Sequence, residues 1–357
     1  MLNDDALIDL FADRGVEGGR PWAPPADTSA RFGRGIYFLG SGNPALEVCV
    51  VPSGRRPKRD EVRDLWRIRQ GRRATPLLLI CPFRVDGTIE AQVCGPAEAD
   101  LAVRELGLDQ AVGLARGALE EPNGLAAVRY VQTHTSRESD EFVGLVNQGM
   151  FASHTLRGRV REMPEWAEAV KRCRGLRTKE GRELIRALGF TIEETNTPVN
   201  VLRAATEQAR AVAVFLDRDE SYESEGGRFG ESSALSQAFT RAARDNIPFV
   251  VLTRGAELRL YAAGSHAGVG RKGQAETYIQ ANVNLLSDAE VGFVSLIFSA
   301  EACGGRHLPA HPRVVAKLLV RSVDPPAGTR LRRRCSPLGC RRRTGTCPSR
   351  RGSSLAR

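Results

Sequence analysis

The last 55 residues of this 357-residue chain, from Cys303 to Arg357, differ sharply in composition from the rest. This segment contains no Phe, Tyr, Trp, Ile, Met, Asn, Gln or Glu, and it is dominated by Arg, Pro, Ser, Gly and Cys. Such a segment has too little apolar surface to offset the conformational entropy that ordering removes. We therefore expect residues 303–357 to be a disordered tail, and the folded structure to lie within residues 1–302.

The net charge of +10 arises in this tail. Residues 303–357 carry 14 Lys and Arg against a single acid, Asp324, whereas residues 1–302 carry 38 basic and 41 acidic residues. The folded part is therefore slightly acidic. Three interpretations of the tail stay open: a basic arm that grips phosphates, an ordinary low-complexity tail, and an out-of-frame translation of GC-rich coding sequence. The last is preferred, because Arg, Pro and Cys codons arise when an Ala- and Leu-rich frame is shifted.

The bulk composition is that of a soluble globular protein. Apolar residues make up 41% and charged residues 26%, which are ordinary values for folded domains. No apolar run approaches the roughly 18 residues that span a bilayer, so no membrane partner is predicted. The chain begins Met-Leu-Asn-Asp-Asp, with acids where an export signal carries basic residues. We expect a cytoplasmic protein whose eight cysteines are thiols.

Hydrophobic patterning predicts two mixed domains, of α+β and α/β type. Residues 1–34 read as a short helix and a linker. Residues 35–177 form an α+β domain, in which short apolar runs predict strands up to about Gly95, with a hairpin turn at Asp86-Gly87, followed by helix over 97–137. Residues 178–302 form a second, α/β domain, because strand and helix patterns alternate there.

Basic residues near two loops are the candidates for DNA contact. Four arginines surround Gly71 on what reads as one loop, with Trp66 as a possible stacking platform: Arg67, Arg69, Arg72 and Arg73. A solvated charged loop is the alternative. Arg271 and Lys272 lie on a Gly-rich turn, 268–273, which matches GxGxxG but precedes a strand pattern where a nucleotide site requires a helix.

The second domain also contains acids in an order that resembles a restriction-nuclease core with its PD-(D/E)xK site. The weak catalytic candidates are Glu183, Asp217 and Asp219. That chemistry uses two acids to hold Mg²⁺ and a lysine to orient or activate water. Here Asp219 stands where the acid-x-Lys spacing requires lysine, and Arg218 stays protonated and cannot act as a base. We therefore expect a degenerate, inactive copy of this core, and no metal or cofactor site.

Several phrases in a fixed order resemble one protein family over about residues 35–302. The phrases are LWRIRQGRRATPLLL at 65–79, VCGP at 93–96, LVNQGMFASHTL at 145–156, LIRALGF at 184–190, VFLDRDES at 214–221, LTRGAELRLY at 252–261 and LIFSAEA at 296–302. They are similar to the N-terminal region of large bacterial restriction–modification proteins that continue into an adenine-specific DNA methylase.

That resemblance implies an accessory region of a phage-defence enzyme. In the family, the S-adenosylmethionine site and the Asn-Pro-Pro-Tyr type motif lie further downstream, and nothing in this chain matches them. S-adenosylmethionine is therefore expected only for the missing methylase domain. The resemblance also implies that the chain is truncated before that domain.

Three functional hypotheses follow. The leading hypothesis is a truncated accessory region that assists DNA engagement and is catalytically inert alone. The second is a Mg²⁺-dependent DNA nuclease that uses the three acids of the second domain. The third is a protein-interaction scaffold that docks onto a separate methylase or restriction subunit.

Overall fold

Two mixed β-sheets, each with helices on both faces, make up the part of the chain that the computed structural model describes. The mixed α and β content predicted from the sequence is therefore confirmed. The predicted helix near the N-terminus and nearly all of the predicted tail lie outside the described residues. The residues described are 18–29, 31–42, 45–96, 101–135, 142–151, 153, 156, 158, 160–263 and 273–304.

The first sheet has six strands, which lie side by side in the order of the chain. Its strands are β1 (Arg20–Trp22), β2 (Gly35–Leu39), β3 (Glu47–Val50), β4 (Leu77–Val85), β5 (Thr88–Cys94) and β6 (Val103–Gly107). A short helix, α1 (Ala26–Ser29), lies between β1 and β2. Strands β3 and β4 are parallel and the other neighbours are antiparallel. Parallel neighbours need a long crossover, and helix α2 (Arg59–Gln70) provides it here.

The continuous apolar run at the start of β4 contributes side chains to two hydrophobic cores, one on each face of the first sheet. Leu77 and Leu79 pack with α2 on one face of the sheet. Leu78 and Ile80 point to the opposite face, because successive side chains of a strand alternate. Burial on both faces explains why this strand reads as an unbroken apolar run rather than as an alternating one.

The predicted hairpin turn at Asp86-Gly87 is confirmed. Both residues have positive φ, 48° at Asp86 and 85° at Gly87, and the turn joins the antiparallel strands β4 and β5. Two positive φ angles match the two-residue turn whose twist suits flanking strands. Asp and Gly accept this conformation more readily than β-branched or bulky residues do, so the local sequence specified the turn.

The helix predicted over 97–137 is wrong at its N-terminal end. Residues 103–107 form strand β6, which pairs with β5 so that Val103 lies opposite Cys94. Pairing with β6 gives hydrogen-bond partners to the backbone groups along that edge of β5. The free energy gained by this pairing outweighs the local preference for a helix. Helices α3 (Leu108–Glu120) and α4 (Gly124–Thr135) follow and cover the face of the sheet opposite α2. Among the apolar side chains of residues 101–120, Val103, Leu106, Val112 and Leu114 are buried, and Leu101 and Leu119 are partly buried.

The second sheet has seven strands in the order β7-β13-β12-β11-β10-β9-β8. Its strands are β7 (Leu145–Gln148), β8 (Thr191–Glu193), β9 (Val199–Arg203), β10 (Ala209–Leu216), β11 (Phe249–Arg254), β12 (Glu257–Ala262) and β13 (Tyr278–Asn282). Only β10 and β11 are parallel among these paired strands. The domain boundary at residues 177 and 178 stays a prediction; β7, which precedes it, pairs with β13 in this sheet.

Helices cover both faces of the second sheet. The crossover between β10 and β11 is helix α7 (Ala234–Arg244), where the Ser233 side chain accepts a hydrogen bond from the Ser236 amide and caps the N-terminus. The opposite face is covered by helices α5 (Trp166–Cys173), α6 (Gly181–Ala187) and α8 (Gly292–Phe298). The alternation of strand and helix that the sequence predicted for residues 178–302 is confirmed at this crossover. Helix α6 ends two residues before Gly189, whose φ is +87°.

Helix α3 lies very close to the segment that follows β13. A Cβ atom added at Gly113 would be 2.6 Å from the backbone oxygen of Asn284, a distance that real Cβ atoms do not adopt. Gln110 on the same helix donates a hydrogen bond to the Leu285 carbonyl oxygen at 2.9 Å, and Leu285 belongs to the core between α3, α4 and the first sheet. Glycine at position 113 therefore permits close contact between α3, which packs on the first sheet, and the segment that follows β13 of the second sheet.

We expect Gly113→Ala to destabilise the protein by about 1–3 kcal/mol, because the added methyl group must displace a backbone segment. Urea denaturation followed by circular dichroism measures the change. Gly175→Ala is the control, since its added Cβ meets no atom within 4 Å. We expect this control to change the free energy of unfolding by less than about 0.5 kcal/mol. Equal unfolding midpoints for the two variants would show that α3 does not pack this closely.

Candidate functional site

The four arginines predicted to share one loop lie instead at the end of a helix. Arg67 and Arg69 belong to the last turn of α2, which ends at Gly71, where φ is +51°. Arg72 and Arg73 follow the helix. The prediction of a loop was wrong because the Gly-Arg-Arg sequence was read as the centre of a loop, whereas it is the C-terminal stop of an amphipathic helix.

Two of these arginines hold one buried carboxylate. Glu47 on β3 is only 3% exposed at its side chain, and it accepts a hydrogen bond from Arg69 Nε at 2.6 Å and from Arg73 Nη1 at 2.8 Å. The Arg69 guanidinium also lies over the rings of Trp22 and Tyr37, 4.8 and 4.6 Å from their centroids. Buried charges need such partners, so Arg69 and Arg73 serve the fold in this structure.

The other two arginines face solvent. Arg67 has a side chain that is 61% exposed, and it pairs with Asp64, one turn away on the same helix. Arg72 is exposed, and no ion pair of its guanidinium is found within the described part of the chain. Trp66, predicted as a stacking platform, is partly buried and donates its indole N–H to the Leu77 carbonyl oxygen at 2.9 Å. Its ring therefore packs on the sheet rather than outward, so that prediction is not supported by its position.

Helix α2 and the loop before it form a larger basic surface than the sequence analysis recognised. Residues 54–73 contain nine Lys and Arg and three acids. We name the exposed or half-buried cations of this segment that are not bound to Glu47 the α2 basic surface. It consists of Arg55, Arg56, Lys58, Arg59, Arg63, Arg67 and Arg72. The run Arg55-Arg-Pro-Lys-Arg59 was visible in the sequence and would have extended the prediction.

The ion pairs on this surface join exposed arginines to less exposed carboxylates. Arg55 pairs with Glu61 and Arg56 with Glu105; the arginine side chains are 53% and 63% exposed, and the glutamate side chains are 13% and 29% exposed. Solvent screens the guanidinium end of each pair, which limits what the pair contributes to stability. Arg271 and Lys272, the remaining predicted cations, lie outside the described residues.

The three predicted nuclease acids are all exposed, one on α6 and two in the loop after β10. Glu183 lies on α6, with a side chain that is 64% exposed and bonded to Lys179. Asp217 and Asp219 are exposed in the loop after β10, where the Asp217 amide donates to the Glu220 carboxylate at 2.8 Å. Within the described ranges, no group of three or more His, Cys, Asp and Glu residues is placed to hold a metal ion.

The register of β9 and β10 shows what lies on the α6 side of the second sheet. Asn200 is directly opposite Ala213, and Phe215 is the next residue of β10 on the same face. Ala213 packs in the core that contains α6, and the Arg182 guanidinium lies 4.5 Å from the Phe215 ring centroid. These three neighbouring positions carry an amide, a methyl group and an aromatic ring, so they supply neither a carboxylate nor a lysine.

A buried polar cluster that the sequence analysis missed lies where α4 meets the second sheet. We name it the Glu257 cluster, after the carboxylate at its centre. Glu257 Oε1 contacts His134 Nε2 and accepts from Gln280, both at 3.2 Å; Oε2 accepts from the Tyr222 hydroxyl at 3.2 Å and from Arg254 at 3.4 Å. His134 and Glu257 are 123 residues apart, so no local pattern could have revealed this contact.

Electrostatics keep the central carboxylate of this cluster ionised. Burial alone would raise the pKa of Glu257, but the hydrogen bond and charge of His134 and the positive charge of Arg254 and Arg259 outweigh it and lower the pKa to about 2. Burial raises the pKa of the nearby Glu121 carboxyl, although Arg254 acts against this. A carboxylate with so low a pKa and four neighbours is a poor proton acceptor, so the Glu257 cluster acts as a structural tie.

A polar cleft of about 370 Å³ opens beside the Glu257 cluster. Four arginines and five carboxylates line it, including Arg129 on α4 and Asp219 in the loop after β10. The opposite charges nearly balance, and Arg254 and Arg259 are already bonded to Glu121 and Glu223. The cleft therefore shows no preference for an anion or a cation.

Comparison with known proteins found no protein-family model, no curated protein and no solved structure that matches this chain. None of the helices within the described ranges combines the length and apolar character that crossing a bilayer requires. All five cysteines placed by the structure are buried free thiols: Cys49, Cys81, Cys94, Cys173 and Cys303.

We expect Arg69→Ala to destabilise the protein by about 2–4 kcal/mol, because it removes one partner of the buried Glu47 carboxylate. Arg67→Ala is the matched control on the same helix, and its exposed pair predicts a change below about 1 kcal/mol. Chemical denaturation measures both. If the two variants unfold at the same denaturant concentration, Glu47 does not depend on Arg69.

We expect the stabilisation contributed by the Glu257 carboxylate to disappear at acid pH. Its pKa is lowered from 4.5 to about 2 on folding, so the stabilisation is complete above about pH 4.5 and is lost as the pH falls towards 2. Glu257→Gln should cost about 3 kcal/mol at pH 7, with a difference from wild type that shrinks below pH 4.5. Denaturation curves between pH 3 and 7 measure this difference. Glu183→Gln, at an exposed site, is the control, and a pH-independent loss for Glu257→Gln would contradict the assignment.

Proposed function

We propose that this chain is a catalytically inert accessory module that engages DNA within a bacterial restriction–modification system built around an adenine-specific methylase. The α2 basic surface carries the proposal. The resemblance of the phrases spread over residues 35–302 suggests the system, and it places S-adenosylmethionine with the methylase region rather than with this chain. On this proposal the protein works in the cytoplasm, where its cysteines stay reduced.

The distribution of charge supports duplex binding on this one face. Residues 54–73 have a net charge of +6, whereas residues 1–302 as a whole have a net charge of −3. The remainder of residues 1–302 is therefore at −9. Within residues 1–302, a polyanion is therefore attracted to the α2 basic surface and repelled by the remainder, which orients the encounter as well as strengthening it.

The topology of the second sheet supports a restriction-nuclease-like core in this module. Helix α6 precedes the antiparallel strands β8, β9 and β10, and helix α7 then leads to β11, which is parallel to β10. This is the order of elements that the PD-(D/E)xK resemblance implies. Asn200, Ala213 and Phe215 at the neighbouring strand positions support a degenerate copy, since two acids and a lysine are what Mg²⁺-dependent cleavage uses.

We expect the double variant Arg67→Ala/Arg72→Ala to weaken DNA binding and to reduce its salt dependence. Each lost phosphate contact lowers the slope of log K against log salt by about 0.9, so the slope should become shallower by about 1.8. Fluorescence anisotropy of a labelled duplex, measured with the full-length chain between 50 and 300 mM salt, gives the slope. The tail is unchanged in this comparison, so its own affinity for DNA cancels.

The control is Arg174→Ala/Arg186→Ala, which removes the same charge from exposed positions near α5 and on α6. It should leave the slope unchanged to within experimental error. Equal slopes for the two double variants would contradict the proposed surface. Plasmid cleavage that requires Mg²⁺ and is abolished by Asp217→Ala would contradict catalytic inertness. Co-purification with a methylase chain but no DNA affinity would favour the scaffold hypothesis instead.

A further inference from the structure

A hollow of about 490 Å³ lies on the α5 and α8 side of the second sheet. Its walls come from α5, from the C-terminal ends of α6 and α8, and from the connection between β9 and β10. Cavities of roughly 300–1,000 Å³ are the size that small-molecule ligands occupy in proteins. We name this cavity the Arg210 hollow, after the one arginine of β10 in its wall.

The deeper walls of the Arg210 hollow are apolar. Leu176, Leu188 and Ala300 line it, and each is less than 7% exposed. The Cys173 thiol lies in the same wall, and burial raises its pKa to about 11, so it adds no charge at neutral pH. An occupant that fits these walls has an apolar body.

Arg210 brings one positive charge that the described residues do not balance. It is 8% exposed, its enclosed Nε atom has no hydrogen-bond partner, and no carboxylate within the described ranges pairs with its guanidinium. The other two charged side chains in the wall, Arg172 and Glu301, pair with each other at 2.9 Å. Because buried cations are normally paired, the hollow favours an occupant that carries a single negative charge.

An irregularity in the sheet turns Arg210 towards this hollow. Side chains of a regular strand alternate, so Arg210 would share a face with Val212 and Val214, which pack with α7. The pairing of β10 with β9 shifts its register between Ala209 and Ala211, and Arg210 lines the hollow on the opposite face. Bulges of this kind commonly re-aim a side chain at a functional site.

We propose that the Arg210 hollow binds a small monocarboxylate with an apolar body. The carboxylate pairs with the Arg210 guanidinium, whose planar fork of N–H donors matches the two oxygens of a carboxylate. The apolar body packs against Leu176, Leu188 and Ala300. A phosphate dianion would bring a second negative charge that this wall does not balance. The site is separate from the α2 basic surface and gives the module a ligand other than DNA.

Calorimetric titration of the full-length chain with octanoate tests the proposal. Octan-1-ol is the matched probe, because it has the same apolar body without the charge. Octanoate should bind with one-to-one stoichiometry and at least about tenfold more tightly than octan-1-ol. Naphthalene-1-carboxylate, titrated in parallel, shows whether a ring fits as well as a chain, and binding of either carboxylate supports the proposal.

Substitution of Arg210 identifies the residue that holds the carboxylate. Arg210→Met should weaken octanoate binding at least about tenfold and leave octan-1-ol binding unchanged. Arg210→Lys keeps the charge but loses the fork, so its affinity should lie between those of Arg210→Met and wild type. Arg174→Met is the control, since it removes an exposed cation near α5 that does not line the hollow. The tail is the same in all these variants.

Chemical denaturation separates a ligand-binding role of Arg210 from a structural one. Without ligand, Arg210→Met should unfold at the same denaturant concentration as wild type or at a higher one, because it removes a buried donor that has no partner. Octanoate should raise the unfolding midpoint of wild type and of Arg174→Met but not that of Arg210→Met.

A second pair of variants avoids the buried wall in case Arg210→Met does not fold. Thr206 is exposed and lies in the wall of the hollow, so a substitution there does not disturb the core. Thr206→Glu adds a negative charge and should weaken octanoate binding about two- to fivefold. Thr206→Gln, of the same size but neutral, should not weaken it.

Equal affinities for octanoate and octan-1-ol, or equal octanoate affinities of wild type and Arg210→Met, would overturn the proposal. So would the absence of binding by both carboxylates at about 5 mM. If that absence is accompanied by self-association in light scattering, the apolar walls belong to an interface with a second copy instead. DNA binding by the α2 basic surface enters none of these measurements, so the two proposals fail independently.

Discussion

The contacts of the buried Glu257 carboxylate connect helix α4, which packs on the first sheet, to the second sheet. Glu257 lies on β12 and is 6% exposed, and its four neighbours come from α4, from the loop after β10 and from the strands β11 and β13. An isolated carboxylate at this depth would be strongly destabilising, so the elements that carry its partners must be in place together. The cost of burying Glu257 alone therefore couples helix α4, which belongs to the first sheet's layer, to the folding of the second sheet.

The buried Glu47 carboxylate of the first sheet also requires charged partners. This requirement determines which of the neighbouring arginines can bind another group. Arg69 and Arg73 are drawn inward by a carboxylate that is 3% exposed, while Arg67 and Arg72, two and one positions away, remain in solvent. A guanidinium bonded to a buried acid cannot turn to a phosphate without leaving that acid unpaired. The same residue type on the same helix is thus structural or available for binding, according to the burial of its partner.

This distinction explains which parts of the molecule could be predicted from the sequence. The Asp86-Gly87 turn, the apolar run of β4 and the strand–helix–strand unit around α7 are specified by residues close together in the chain, and the predictions for them were confirmed. Strand β6 was missed because its conformation depends on pairing with β5, which local helical patterning does not show. The roles of Arg69 and Arg67 could not be separated in advance, since the partner of Arg69, Glu47, lies 22 residues away on strand β3.

The buried charges of the described structure follow one rule with one exception, and that exception is informative. Glu257 has four polar neighbours, and Glu47 has two arginines. Arg210, equally buried, has a neutral cysteine thiol, Cys303, nearby but no carboxylate from the described residues. The buried Nε of Arg210, without a hydrogen-bond partner among the described residues, is therefore a local cost that the paired carboxylates of Glu257 and Glu47 do not carry.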